Sequence, residues 1–248
     1  MCIALPAHSD DNHRNPNLVD VIRDTSLFPL SHTESRVRNA AVKVMIGEEG
    51  HGSGTYLAYK NMYFILTAAH VAIESQNPLI ITEEREVVVG KVIYIDNRKD
   101  IALILVPKLE TKPIKLQPSK LLPQVGTEIT YSGFPSAHNL LTFRGYVIGF
   151  EESPSRGRII LIHSYGWPGI SGSGVFDAQG NLLGVAFAID ADHRSSFQLI
   201  EDIVWVSPIG NLDIDQLMTN ACKHHRKNPA CVAHKQKEAR KRFQKVKN

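Results

Sequence analysis

Between residues 37 and 218 the chain is broken into about a dozen short apolar runs, and that spacing limits the folds open to it. The runs include AAVKVMIG, GTYLAY, MYFILTAA, REVVVGKVIYI, DIALILV, TEITYSGF, YVIGF, RIILIHS, LLGVAFAI and DIVWVSP. Many are rich in Val, Ile, Tyr and Phe, several alternate with period two, and Gly, Pro, Asn or Asp stand between them. Such residues suit a pleated, half-buried surface. Many short strands with turn signals between them predict an all-β sandwich or a pair of barrels. QGNLL reads as a hairpin turn, because Gly-Asn tolerates positive φ.

The flanks differ from this centre. Residues 1–36 are polar, with Pro6, Pro16 and Pro29 and one apolar patch, NLVDVI, and read as an N-terminal arm. Residues 211–220, NLDIDQLMTN, read as a short closing helix. Residues 219–248 read as a basic tail without a fold of its own: Lys223 to Lys247 carry ten Lys or Arg against one acid, Glu238. The whole chain has a net charge of only +3, with 43% hydrophobic residues, so it can bury a sizeable core. No apolar run approaches the roughly 18 residues of a membrane span. The N-terminus lacks the basic start and long apolar stretch of a secretory signal. Cys2, Cys222 and Cys231 leave residues 3–221 without cysteine, so the central domain holds by packing alone and an intracellular setting is expected.

Three motifs then fall in order. His70 follows an apolar strand in FILTAAHVAI, Asp100 opens a nearly continuous apolar strand in NRKDIALILV, and Ser171 sits among glycines in GWPGISGSG. Each has an ordinary reading: a packed histidine, a solvated turn carboxylate such as Asp96, a Ser-Gly hairpin entry. Together they supply a nucleophile, a base to take its proton, and a carboxylate to hold the base in one tautomer. The order His, Asp, Ser is the one used by double-barrel serine proteases, against other orders on other folds.

In TAAH around His70, DIAL around Asp100 and G-x-S-G-S-G around Ser171, the chain resembles a trypsin/chymotrypsin-like serine protease over residues 37–218. GSGTYLAY, VGTEITYSGFP and GVFDAQGNLLGVAFAI add to the resemblance. It is nearest in style to Deg/HtrA-type or viral members, with about 30 residues after the core, too few for a PDZ domain. Ser173 stands where the family most often has glycine. The resemblance implies two six-stranded antiparallel β-barrels with the site between them. His70 and Asp100 would come from the first barrel and Ser171 from the second. It further implies a serine endopeptidase acting on peptide or protein substrates, with no metal or other cofactor. The backbone N–H groups of Gly169 and Ser171 would form the oxyanion hole. The primary pocket would lie near Tyr165, Gly166 and Trp167 and near Phe187, Ala188 and Ile189. No acid stands there, so a small or medium apolar side chain is expected at the cleaved residue. Trp167 and Phe187 also fit simple barrel packing, and His163 fits a surface residue.

The tail offers two further readings. Cys222, His225, Cys231 and His234 are residue types that zinc accepts, at a spacing that matches no usual zinc motif. The basic stretch over residues 223–247 suits a nucleic acid or another anionic surface, through salt-sensitive phosphate contacts. The alternative function is accordingly a catalytically silent protease-like scaffold that binds nucleic acid through this tail.

Overall fold

The computed structural model describes residues 29–47, 50–117, 122–192 and 198–247. The chain divides into two units, 1–31 and 32–248, and every helix and strand named below lies in the second. Cys2 and the NLVDVI patch fall outside the described residues. No described helix is long and apolar enough to cross a membrane.

The expected strands are present. The first half holds β1 (Ala41–Ile46), β2 (Gly50–Tyr59), β3 (Met62–Thr67), β4 (Leu79–Thr82), β5 (Val87–Val89), β6 (Lys91–Asp96), β7 (Ile101–Val106) and β8 (Ile114–Lys115). They form one curled sheet in the order β5-β4-β1-β2-β3-β7-β6, with β8 added in parallel on β2. The second half holds β9 (Glu128–Gly133), β10 (Leu141–Ser153), β11 (Gly157–His163), β12 (Gly174–Asp177), β13 (Leu182–Asp192) and β14 (Gln198–Pro208). These close into a six-stranded barrel. The two-barrel, all-β architecture is therefore as expected, while the first sheet has eight strands and curls without closing. β5 and β8, of three residues and two, carry too little apolar pattern to be separated from loop by periodicity.

Each sheet wraps its own core. Tyr56, Phe64, Leu66, Ile80, Leu103 and Ile104 fill the first; Tyr131, Val147, Ile162, Val175 and Val206 fill the second. All six residues of β7, IALILV, are buried, which explains their unbroken apolar run. Helix α1 (His32–Asn39) spans the two sheets: Glu34 pairs with Arg144 of β10, while Arg38 reaches Glu83 beside β4 and the Leu140 carbonyl at 3.0 Å.

The C-terminal segment departs from the sequence reading. α3 (Ile214–His224) begins near the expected helix and runs four residues past it, and α4 (Pro229–Lys247) occupies the stretch read as an unstructured basic tail. The reason is an apolar stripe that the lysines mask. Leu217, Met218, Ala221 and Cys222 recur on one helical face and are buried, and Cys231 is buried with them. Asn220 Nδ2 donates to the Ile93 carbonyl at 2.7 Å, and Asn228 Nδ2 to that of Asn61 at 3.4 Å. Cys222 and Cys231 form a disulfide, so they are not thiolate ligands, and no metal-holding cluster forms among the described residues.

That disulfide closes a short loop of sequence separation 9. Replacing both cysteines by alanine is expected to cost about 2–3 kcal/mol, read as a lower Tm; an unchanged Tm would show that the staple contributes nothing.

Candidate active site

His70 lies in α2 (Ala69–Ala72), a single helical turn directly after β3. Asp100 lies at the turn into β7, the neighbour of β3 in the sheet. The pairing of these strands brings the two residues together. The backbone N–H of His70 donates to Asp100 Oδ1 at 3.0 Å, and His70 Nδ1 lies 3.1 Å from Oδ1 and 3.0 Å from Oδ2. A carboxylate on Nδ1 holds the proton there and leaves Nε2 as the basic nitrogen. Asp100 is buried, whereas the His70 side chain is 47% exposed and so open to a substrate. Burial opposes ionisation of Asp100, but the hydrogen bonds and charge of His70, with the charge of Arg156, outweigh it and hold the carboxyl below its ordinary range. Asp100 has φ of +53°, a conformation that aspartate tolerates better than most residues.

Ser171 lies on a turn between β11 and β12. Two glycines make the turn fit. Gly172 has φ of +97°, and a methyl on it would lie 2.0 Å from the Ser53 carbonyl oxygen and 2.2 Å from Thr67 Oγ1. It therefore presses against β2 and against the end of β3, three residues before His70. Gly169 has φ of +101°, and its methyl would strike the Phe134 carbonyl oxygen at 2.5 Å. No side chain is tolerated at either place without a backbone shift.

The anchor of the turn is Ser53 in β2, a residue wholly buried and not singled out in the sequence. Its N–H donates to the Ser171 carbonyl at 2.8 Å, and its hydroxyl donates to the Gly169 carbonyl at 2.7 Å. The same hydroxyl accepts from Phe134 N–H at 2.9 Å, and its carbonyl accepts from Thr67 Oγ1 at 2.7 Å. Both ends of the Gly169–Ser171 segment are thus tied to the first sheet. A methyl on neighbouring Gly52 would meet Val71 Cγ2 at 2.5 Å and the Ser171 carbonyl oxygen at 2.9 Å, so the residue after His70 and the Ser171 backbone flank one spot. Among the described residues no hydrogen bond joins Ser171 Oγ to the His70 ring; the ties to the His70 side run through backbone and packing.

The N–H groups of Gly169 and Ser171 also donate to no other described residue. The Pro168 carbonyl accepts from Ser136 N–H at 2.7 Å. In a trans peptide this aims the Gly169 N–H the opposite way. Both donors, one of them Ser171's own, therefore lie on this turn without a partner among the described residues.

The expected pocket residues fall into one region. Gly166 packs on Ile189 and Val204, where a methyl would lie 2.3 and 2.8 Å from their Cγ2 atoms. Phe187 is buried edge-on to Trp205 with ring centroids 6.3 Å apart, while Ala188 and Ile189 are half-buried. Tyr165 is exposed and stacks parallel to Trp167, and the Tyr131 hydroxyl holds the Tyr165 carbonyl. Phe187 thus packs within the barrel, whereas Trp167 is half-buried and packs on the exposed Tyr165. His163 is half-exposed and stacks on Tyr146.

Ser173 sits wholly buried with its hydroxyl unpaired. Ser173→Ala is expected to raise stability by about 1 kcal/mol by removing an unsatisfied polar group. Ser53→Ala is expected to lower it by about 1–3 kcal/mol, since the buried Phe134 N–H and Gly169 carbonyl lose their partner. Thermal melts of both variants check the pair; losses of equal size would show that burial alone governs these sites.

Residues 52–185, more than half of the chain, match the trypsin-like peptidase domain family. No curated protein matches the chain. Among solved structures, an inactive form of the Rv3671c protease aligns with a TM-score of 0.58 and 18% identity over 77% of this chain and 91% of that one. A mutant inactive form of Rv3671c from M. tuberculosis gives 0.56 and 17%, over 80% and 92%. The HtrA-type protease AlgW with tripeptide gives 0.60 and 19%, over 71% of this chain and 58% of that one. At such identities the likeness is one of fold, and it agrees with the curled sheet and closed barrel. The match over residues 52–185, which span β2, the His70 turn and the Ser171 turn, places this chain in the trypsin-like peptidase family.

Proposed function

We propose that this peptidase is a serine endopeptidase working through His70, Asp100 and Ser171. The observation that carries the reading is the double hold of Asp100 on His70, at the backbone N–H and at Nδ1, beside a turn that presents one serine. Ser171 Oγ attacks the substrate carbonyl carbon while His70 Nε2 takes its proton. The carbonyl oxygen becomes an oxyanion held by the N–H groups of Gly169 and Ser171. The C–N bond then breaks, and the amine leaves with the proton from His70. Water repeats the sequence on the acyl-enzyme: His70 takes a proton, the ester bond breaks, and Ser171 recovers its hydroxyl. Apo hydrogen bonds in such sites are often long and tighten when substrate binds.

Asp100 stays ionised throughout. Its carboxyl is held below the ordinary value of about 4, so the stabilisation it contributes is complete above that value and is lost as pH falls through the lowered one. Asp100 therefore keeps its charge to a lower pH than an ordinary carboxyl. The pocket reading favours small or medium apolar side chains at the cleaved residue, because Ile189 packs over Gly166 and none of Tyr165, Gly166, Phe187, Ala188 and Ile189 is a carboxylate to pair with Lys or Arg.

A proteome-derived peptide library tests the reading. Wild type is expected to cleave after Ala, Val or Leu and not after Lys or Arg. Ser171→Ala and His70→Ala should each lower kcat by at least about 10⁴-fold with the fold intact. Cleavage that survives Ser171→Ala would overturn the assignment. A folded wild type that cleaves nothing, yet binds nucleic acid, would support the silent scaffold.

A further inference from the structure

The geometry points to Arg156, in the turn between β10 and β11, as a positioning residue that holds Asp100 from the opposite barrel and moderates the charge His70 meets. This inference rests on the proposed triad.

Arg156 belongs to the second barrel and Asp100 to the first sheet. Its Nη1 donates to Asp100 Oδ2 at 3.4 Å, on the oxygen that also faces His70 Nδ1. Its guanidinium lies 5.0 Å from the centroid of the buried Phe187 ring, so the fork is supported from one face. Its N–H donates to Ser153 Oγ at 3.3 Å, which fixes the tip of the hairpin. Two more bonds cross at the same place: Lys99 Nζ donates to the Arg156 carbonyl at 3.1 Å, and Arg98 Nε to the Ser155 carbonyl at 3.3 Å. Asp96 Oδ1 in turn accepts the N–H groups of Arg98 and Lys99, each at 3.0 Å. The turn that presents Asp100 is thus clamped by a hairpin of the other barrel, and Arg156 is the member of that clamp that touches the carboxylate.

The consequence is electrostatic. A carboxylate stabilises an adjacent imidazolium, and a second cation on the same carboxylate offsets part of that effect. The other charged side chains on the neighbouring elements are Glu74 beyond α2, Asp96 of β6, Lys99 and Arg98 of the clamped turn, and Glu151, Glu152 and Arg158 of the hairpin, with Lys91 at the far end of β6. Of these, Asp96 is engaged with its own turn and Glu152 with Arg158 at 2.5 Å. β7 contributes no charge. The Arg156 side chain is 35% exposed, so salt partly screens its effect.

The test is the pH profile of kcat/KM for one peptide taken from the library, measured at low salt for wild type, Arg156→Gln and Arg156→Lys. In Arg156→Gln the acid limb is expected to move up by about half a pH unit, and kcat to fall about threefold to tenfold with KM little changed. Arg156→Lys is expected to restore the acid limb, because the charge remains, but only part of kcat, because the planar stack is lost. In high salt the displacement of the acid limb should shrink. Superimposed profiles for wild type and Arg156→Gln would overturn the inference while leaving the triad standing. If wild type itself hydrolyses nothing, the triad reading fails, and a stability cycle decides the inference separately. Tm losses of Arg156→Gln and Asp100→Asn that fall short of their sum in the double variant support the clamp; additive losses overturn it.

Discussion

A turn made of glycine, serine and proline has little to hold it in one shape, and in this protein the hold is Ser53. Four hydrogen bonds meet at that residue, and three of them reach outside the first sheet, to Gly169, Ser171 and Phe134. All lie at a wholly buried position, where an unmet polar group is costly. The Ser171 turn is therefore satisfied only when the first sheet lies against it. Packing adds the same demand, since Gly172 leaves no room between the turn and the end of β3. The register between sheet and barrel is in this way built into the turn itself, and His70, which follows β3 directly, inherits it.

Electrostatics completes the arrangement. Buried Asp100 would ordinarily resist ionisation, and it is the donation from His70 together with Arg156 that keeps it charged. One partner comes from the same sheet and the other from the opposite barrel. The carboxylate thus joins the two halves as well as orienting the imidazole. Its left-handed backbone conformation needs surroundings that fix it, which the clamp of Arg98, Lys99 and the hairpin supplies.

Much of this could be read from residues in order. Period-two runs gave the strands, and TAAH, DIAL and GISGSG marked three strand ends that the fold could bring together; the His70–Asp100 contact followed. Ser53 could not be read in this way, because a serine within a glycine-rich strand start carries no spacing signal and its partners lie 81 and 116 residues away. Arg156 is hidden for the same reason, at a separation of 56. β5, at one edge of the first sheet, and β8, added on β2, are too short to show a period. The closing helix was legible, but its last four residues and all of α4 were hidden by composition. Ten cations drew attention away from Ala221, Cys222 and Cys231, which continue the apolar face begun by Leu217 and Met218 and whose burial packs the segment onto the first sheet.

The central claim is that Ser171 is a nucleophile whose proton His70 can take. Reaction of the folded protein with a fluorophosphonate, followed by peptide mapping in a mass spectrometer, addresses it most directly. The account predicts one phosphonyl group, carried on Ser171 and absent from a His70→Ala protein that melts normally. A protein that stays unmodified, or one modified at another serine, would contradict it.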